Sequence, residues 1–352
     1  MTKTTEIQRI LVLVLKRIGE ILLTTPAIRA LRKAYPGAEI TAVVYRPFKD
    51  VLEGNPNIDQ LIVLEPDAGN YAFIRQAWRL RQKRFDLVLD FLALPSSALI
   101  TLMSDAPIRV GLPRRHRKYA YNRYIPYEMG NTPYAADRRL NAVRMLGLPD
   151  DGIAMDFSID ENSAARGDEL LDRNGLGAGD RFAVVAPLAG QAWKLWPFER
   201  YAQVADYLAD EHSLPVVLIC GPGEYHYVEQ VLRHTRSTPA AAIEFTDLNI
   251  MARVLSRALF YVGNDGGVKH LASAVGTPTV TIFGPAYAHK WNEPDDPLHQ
   301  MLWQEIDCRG RRCFRECSRN YECLTMISAE DTCSGIDRLL TAIKARVNAA
   351  PG

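Results

Sequence analysis

The stretch Tyr261–Pro285 reads YVGNDGGVKHLASAVGTPTVTIFGP. A short apolar strand runs into Gly263-Asn264-Asp265-Gly266-Gly267, and a helical pattern follows through His270-Leu271-Ala272. A second apolar run, Thr279–Phe283, comes next. Strand, glycine-rich turn, helix and strand make one α/β unit. Glycines at such a junction let backbone amides approach a ligand, and a helix start concentrates partial positive charge. The turn is therefore either a place to hold a diphosphate or a glycine-rich turn with no ligand. Asp265 at the cap, with Lys269 and His270 just inside the helix, favours the ligand.

The same alternation extends in both directions. Ile10–Leu15, Ile40–Tyr45, Leu61–Leu64 and Leu87–Phe91 are continuous apolar runs, as expected for strands buried on both faces of a parallel sheet. Residues with helical spacing, such as Ile21, Ile28, Leu31 and Tyr35, lie between them. A second set begins at Phe182–Ala186. It continues with a helix over Glu199–Ala209, a strand at Val216–Cys220, a helix over Asn249–Arg257 and a strand at Phe260–Val262. The segment 150–179 has weaker patterning, which sets the expected division at 1–165 and 166–327, with a last helix in 328–352. The fold class expected is α/β, with two doubly wound units.

Length and composition agree: 352 residues suit two domains, and 47% hydrophobic with 24% charged residues is an ordinary globular balance. A net charge of +1 excludes a molecule-wide polyanion binder, so charge effects must be local. No apolar run is long enough to cross a bilayer. Ile10–Leu15 is too short for a signal peptide and is followed at once by Lys16, Arg17 and Glu20, so a cytoplasmic location is expected. Neither GxGxxG nor GxxxxGK[ST] occurs.

Two further stretches lie where ligands bind in open α/β folds, at the carboxyl edge of a sheet. In APLAGQAWKLWPFERYAQVADYL, Ala186–Leu208, Lys194 precedes Trp196-Pro197, and Pro197 suits a first helical turn. Lys194 is either a solvated lysine or a point charge for phosphate. In RIGEILLTTP, Arg17–Pro26, the Gly19-Glu20 corner follows the first strand. By itself Glu20 reads as a helix-start acid, worth about 0.3–1 kcal/mol against the dipole. Two boundaries compete here: Thr25-Pro26 looks like a cap and first helical position, whereas a helix from Gly19 would carry Pro26 early.

Together the three stretches resemble glycosyltransferase family 9, the lipopolysaccharide core heptosyltransferases. The resemblance rests on RIGEILLTTPAIRALRKAYPGAEI, WKLWPFERYAQVADYL and GNDGGVKHLASAVGTPTVTIFGP, the last being close to the family form GNDSGxxHLAAALGTPTVxLFGP. It implies a GT-B architecture, two Rossmann-like domains facing a central cleft, with the acceptor on the first, the nucleotide-sugar on the second and the last helix returning to the first. It implies inverting, metal-independent transfer from ADP-heptose to the lipopolysaccharide inner core, with no cofactor required. Asp265, Gly266, Gly267, Val268, Lys269 and His270 fall in the diphosphate-holding motif, and Lys194 matches the lysine that contacts the donor phosphates. Glu20 falls on the general base, which takes the proton from the attacking acceptor hydroxyl.

The chain departs from the family pattern twice. Glu20 replaces the usual Asp, which moves the carboxylate by about 1.5 Å, a displacement that can cost about a hundredfold in rate. Gly266 replaces the usual Ser and loses one hydroxyl. Another nucleotide-sugar or surface-glycan acceptor within the same fold is an alternative. So is a weakly active or non-catalytic nucleotide-sugar-binding module, with Glu20 as its mark.

Arg109–Tyr127, RVGLPRRHRKYAYNRYIPY, carries six Arg and Lys residues and no acid, with tyrosines interleaved. As a sequence it suits nucleic acid, an anionic glycolipid or plain solvent. The resemblance selects a phosphorylated glycolipid, with Arg114, Arg115, Arg117 and Lys118 as acceptor-binding residues, peripheral contact with an anionic inner-membrane surface, and no nucleic acid. Five of the six cysteines lie between Cys308 and Cys333. The spacings of five, four and six between Cys308, Cys313, Cys317 and Cys323 do not match paired CxxC zinc sites, so reduced thiols compete with a structural metal. Arg309, Arg311, Arg312 and Arg315 make the run basic.

Overall fold

The computed structural model describes residues 7–67, 69–126, 133–188, 190–308, 313 and 316–349. Two compact units result, Met1–Ser158 and Ile159–Gly352.

The first unit contains β1 (Arg9–Leu13), α1 (Ile18–Leu22), α2 (Thr25–Ala34), β2 (Glu39–Tyr45), β3 (Gln60–Leu64), α3 (Gly69–Gln82), β4 (Leu87–Asp90), α4 (Pro95–Ser104), β5 (Ile108–Gly111), β6 (Arg123–Tyr124) and α5 (Ala135–Arg144). Its six strands lie in the order β3-β2-β1-β4-β5-β6, all parallel. The second unit opens with α6 (Glu161–Arg173), β7 (Ala183–Ala186), α7 (Phe198–His212), β8 (Val216–Cys220), α8 (Tyr225–Leu232), β9 (Ala241–Glu244) and α9 (Leu248–Arg257). It continues with β10 (Phe260–Asn264), α10 (Gly267–Ala274), β11 (Thr279–Phe283), α11 (Ala288–Trp291), β12 (His299–Trp303), α12 (Glu322–Thr325) and α13 (Ala329–Ala349). Its order is β12-β11-β10-β7-β8-β9, again all parallel. Numbered from its own first strand, each sheet has the Rossmann order 3-2-1-4-5-6. Strand order reverses between β1 and β4, and between β7 and β10. Ligands bind in such folds at that reversal, beyond the strands' carboxyl ends.

Burial explains why these runs became strands. β4, β7, β8, β10 and β11 are buried along their whole length, with helices over both faces, and this demands continuous apolar sequence. The strands β3, β9 and β12 are only partly buried, and both residues of the edge strand β6 are exposed. Val14 and Leu15 fall outside β1 yet remain fully buried, and they extend the ladder through Val14 N–H to Val43 O and Tyr45 N–H to Leu15 O.

Both readings of RIGEILLTTP hold in part. Arg17 takes φ +65° and opens the short helix α1, which carries Glu20 in its first turn. The chain then turns, and Thr25-Pro26 starts the separate helix α2. The Thr24 hydroxyl bonds the Glu20 carbonyl at 2.9 Å and that of Thr25 bonds the Leu22 carbonyl at 2.7 Å, so the two threonines stitch the joint.

The expected division at 165/166 falls inside α6 and is corrected to 158/159. Helix α6 packs on α9 of the second unit: Asp168 accepts from Arg253 at 2.8 and 3.0 Å and from Arg257 at 2.7 Å. Gly167 is required there, because a Cβ would lie 2.6 Å from Arg253 Cγ. Helix α13, which the resemblance assigns to the first unit, packs on α7, β11 and β12 of the second. Tyr207 donates to Asp337 at 2.8 Å and Arg338 to Gln300 at 3.2 Å.

Candidate functional site

In the second unit, Lys194 ends a 3₁₀ turn, Ala192–Lys194, beyond β7, and Asp265 follows β10. These are the two strands at the reversal. The Lys194 ammonium donates to Asp265 Oδ2 at 2.5 Å and to its carbonyl at 2.7 Å, and lies 5.3 Å from the Trp193 ring centre. Two of its three donors are thereby used among the described residues. Asp265 is 6% exposed, so its charge is matched locally. Trp196 fixes the turn: it is fully buried, donates to the Ile327 carbonyl at 2.9 Å and meets Tyr201 edge-on at 4.9 Å. Tyr201 in turn donates to Asn264 Oδ1.

The strands approach closely here because Gly263 has no side chain. A Cβ would lie 2.2 Å from the Tyr261 hydroxyl and 2.9 Å from the Ala186 carbonyl. Helix α10 then starts with Gly266 as its cap residue and no side chain capping its first amides. The backbone of Gly266, Gly267, Val268 and Lys269 thus aims positive partial charge at the place where β7 and β10 end. Gly266 is extended, at φ −148° and ψ −178°, and a Cβ there would meet nothing nearer than the Asn264 carbonyl at 3.9 Å. The departure from serine at 266 therefore removes a hydroxyl without reshaping the turn.

Lys269 needs a correction. Its side chain is fully buried and its ammonium donates to the Trp291 carbonyl at 2.8 Å, so it faces the protein interior. Burial lowers its pKa to about 8, against the opposing pull of Asp265 and Glu293. Only its backbone amide is available to a ligand. His270 is 3% exposed, with its ring 6.3 Å from that of Trp291.

In the first unit, the Glu20 carboxylate is held by Arg139 of α5, whose side chain is 10% exposed. Arg139 is itself fixed by the Ala135 carbonyl at 2.9 Å, and its Nε has no partner among the described residues. Sequence reasoning missed Arg139, which lies 119 positions from Glu20 in an unremarkable helical run.

The basic stretch is anchored by a buried carboxylate, also missed. Asp90 ends β4, at the reversal of the first sheet, and is fully buried. It accepts from the amides of Ala93 at 2.8 Å and Leu92 at 3.1 Å and from the Tyr121 hydroxyl at 2.7 Å. Burial pushes its pKa up, opposed by these bonds. Gly111 makes room for the Tyr121 ring, 2.3 Å from where a Cβ would stand. Arg117 donates to the Ala93 carbonyl at 2.7 Å, and Arg109 to the carbonyls of Ala106 and Ala120. Arg114, Arg115 and Lys118 are exposed. Of the four expected acceptor residues, one is therefore built in and three are presented to solvent. Tyr127 lies outside the described residues.

All six cysteines are free thiols. Among the described residues, Cys308, Cys313, Cys317 and Cys323 do not form a ligand group, whereas Glu293, Asp296 and His299 bring one ligand atom each within 4.8 Å of the others. Glu293 already faces the buried Lys269 charge, and His299 bonds both Glu293, at 3.1 Å, and the Thr279 hydroxyl, at 3.0 Å. Arg309, Arg311, Arg312 and Arg315 lie outside the described residues.

Two Rossmann-ordered units, the second with a lysine, glycine turn and helix start at its strand reversal, define a glycosyltransferase of the GT-B type. The chain belongs to glycosyltransferase family 9 (heptosyltransferase), whose family model matches residues 73–320. It is 26% identical over 341 residues to lipopolysaccharide heptosyltransferase 3 of Escherichia coli K12, covering 92% of this chain and 95% of that one. It is 28% identical over 295 residues to lipopolysaccharide heptosyltransferase 1 of Pseudomonas aeruginosa, covering 79% of each. The crystal structure of a family 9 glycosyltransferase from Veillonella parvula superposes with a TM-score of 0.85 at 26% identity, covering 95% of this chain and 97% of that one. An E. coli heptosyltransferase solved with ADP-2-deoxy-2-fluoro heptose shares the fold, with a TM-score of 0.70 at 21% identity, covering 94% and 99%.

Proposed function

We propose that this enzyme moves a heptose from ADP-heptose to the inner core of lipopolysaccharide, with inversion and without a metal or other cofactor. The observation that carries the reading is the pairing of Lys194 with Asp265 at the start of α10. The departing nucleotide diphosphate gains negative charge as the sugar bond breaks. The third Lys194 N–H and the amides of Gly266, Gly267 and Val268 are set to receive it, which supplies leaving-group stabilisation from the protein itself. Asp265 orients Lys194 rather than binding phosphate, because its carboxylate would repel it. Glu20, positioned by Arg139, takes the proton from the acceptor hydroxyl as it attacks the anomeric carbon. The relatives support the donor and acceptor class: two are lipopolysaccharide heptosyltransferases, and one was solved with an ADP-heptose analogue.

The acceptor is read as a phosphorylated glycolipid, met by Arg114, Arg115 and Lys118, with Arg117 bracing the loop. Arg114→Glu with Arg115→Glu is expected to reduce transfer to full-length lipid acceptor by about tenfold or more, since two attractive contacts become repulsive. Transfer to a small phosphate-free acceptor analogue should stay within about twofold. Equal losses on both acceptors would remove the loop from acceptor binding.

A second reading has one observation in its favour. Glu20 is engaged by Arg139, as a purely structural helix-start acid would be. A nucleotide-sugar-binding module with little transfer activity would show donor binding that is insensitive to Glu20 and no product.

A further inference from the structure

We propose that the paired helices α3 and α4 form a docking face for an anionic phospholipid bilayer. The proposal extends the lipid-linked acceptor of the preceding reading and names what the first unit rests on.

Helix α3 presents apolar side chains to solvent as well as to the core. Ala77 and Leu80 are buried, and Phe73 packs with them against the core that contains Leu11, Leu13 and Val88. The opposite stripe, Tyr71, Ile74 and Trp78, is 80%, 50% and 52% exposed. Helix α4 repeats the arrangement: Ile100 is buried in the same core, while Leu99 and Leu102 are 39% and 51% exposed. The two helices cover the same sheet face and pack side by side, tied where they end by Arg81, which donates to Asp105 at 2.8 Å and to the Met103 carbonyl at 3.4 Å. The five outward apolar side chains therefore belong to two neighbouring helices that share one buried core. Half of the large hydrophobic residues exposed among the described residues, five of ten, are on these two helices. Scattered exposure is normal, whereas a contiguous patch marks an interaction surface.

Charge identifies the occupant. Between Gly69 and Arg84 there are five cations and no acid. Arg75, Arg79 and Arg84 form no side-chain hydrogen bond or ion pair within the described residues, so their charge is not cancelled internally. Helix α4 has no charged residue at all. Beside Trp78, a pocket of about 580 Å³ opens between the ends of the two helices, with Arg81 and Arg84 in its wall. The two acids that also line it are committed: Asp105 to Arg81, and Asp86 to the amides of Gln8 and Arg9 at 2.9 Å. Aromatic and aliphatic side chains flanked by unpaired arginines are what an interfacial helix needs. The apolar stripe enters the acyl boundary while the guanidinium groups meet lipid phosphates. A soluble protein partner would have to bring its own acids to an apolar face, and a second copy of this chain would bring arginines to arginines.

The full chain is tested by co-sedimentation with phosphatidylcholine vesicles containing or lacking phosphatidylglycerol, with no glycolipid and no donor present. Wild type should bind the anionic vesicles, bind neutral ones at least about tenfold less, and release with added salt. Tyr71→Ser/Ile74→Ser/Trp78→Ser should lower binding by about tenfold or more, and Arg75→Glu/Arg79→Glu likewise. Both variants should keep the wild-type melting temperature and the wild-type rate with a soluble acceptor analogue. Wild-type failure to bind anionic vesicles, or binding by the triple variant equal to wild type, overturns the proposal. So does sedimentation equilibrium that shows a dimer for wild type and a monomer for the triple variant, which would make the face a self-interface. Because the vesicles carry no substrate, failure here leaves the sugar-transfer reading intact, and failure of transfer leaves this binding measurable.

Discussion

Glu20→Ala is expected to lower kcat for heptose transfer by about 10²–10⁴-fold, the range for loss of a general base, with the donor KM changed less than about threefold. An acceptor hydroxyl is a weak nucleophile, and the carboxylate matters only as that proton leaves, so the loss belongs in kcat. In the proposed reading the donor meets Lys194 and the start of α10, which the substitution does not touch. Arg139 adds a control. Its guanidinium is fixed by the Ala135 carbonyl and would keep its place when Glu20 is removed. Glu20→Gln preserves the shape and a hydrogen bond to Arg139 but not the base, and should fall with Glu20→Ala. Glu20→Asp withdraws the carboxylate by about one bond length from Arg139, and an intermediate rate, about a hundredfold down, is expected from that misplacement. If Glu20→Gln transfers as fast as wild type, Glu20 is a structural acid and the base lies elsewhere.

Lys194→Ala is expected to cut kcat by about 10²–10³-fold, the cost of removing one donor from developing negative charge, and to raise the donor KM as well. A stability loss should accompany it, up to about 3 kcal/mol, the low end for breaking a buried pair because Lys194 keeps some exposure. The 6% exposed Asp265 would then stand without its cation, beside the proposed diphosphate site. Adding Asp265→Asn removes the stranded charge. The double variant should recover most of the lost melting temperature and little of the lost rate. Recovery of both together would mean that Lys194 serves folding alone.

The strands could be read from the sequence because a parallel sheet covered on both sides demands unbroken apolar runs, as at Val216–Cys220 and Thr279–Phe283. The candidate positions Glu20, Lys194 and Asp265 stood out in the sequence because each follows such a strand. What escaped was set by contacts between distant residues. Helix α6 was hidden because the face it buries is Ser163, Gly167 and Leu171, with one large apolar residue, and a salt bridge to α9 does the rest. The Arg139–Glu20 and Tyr121–Asp90 contacts join residues 119 and 31 positions apart. Lys269 was misread for a different reason. Its place in the first turn of α10 suggests a ligand, but the helix turns that side chain inward to the Trp291 carbonyl.

The central claim is tested most directly by incubating the purified enzyme with ADP-heptose and a heptose-deficient inner-core acceptor in EDTA, and following ADP release and the anomeric configuration of the product. The account predicts stoichiometric ADP and glycoside, inverted at the anomeric carbon, at a rate that EDTA does not change. Donor binding without product, ADP release as hydrolysis alone, or a product with retained configuration would contradict it.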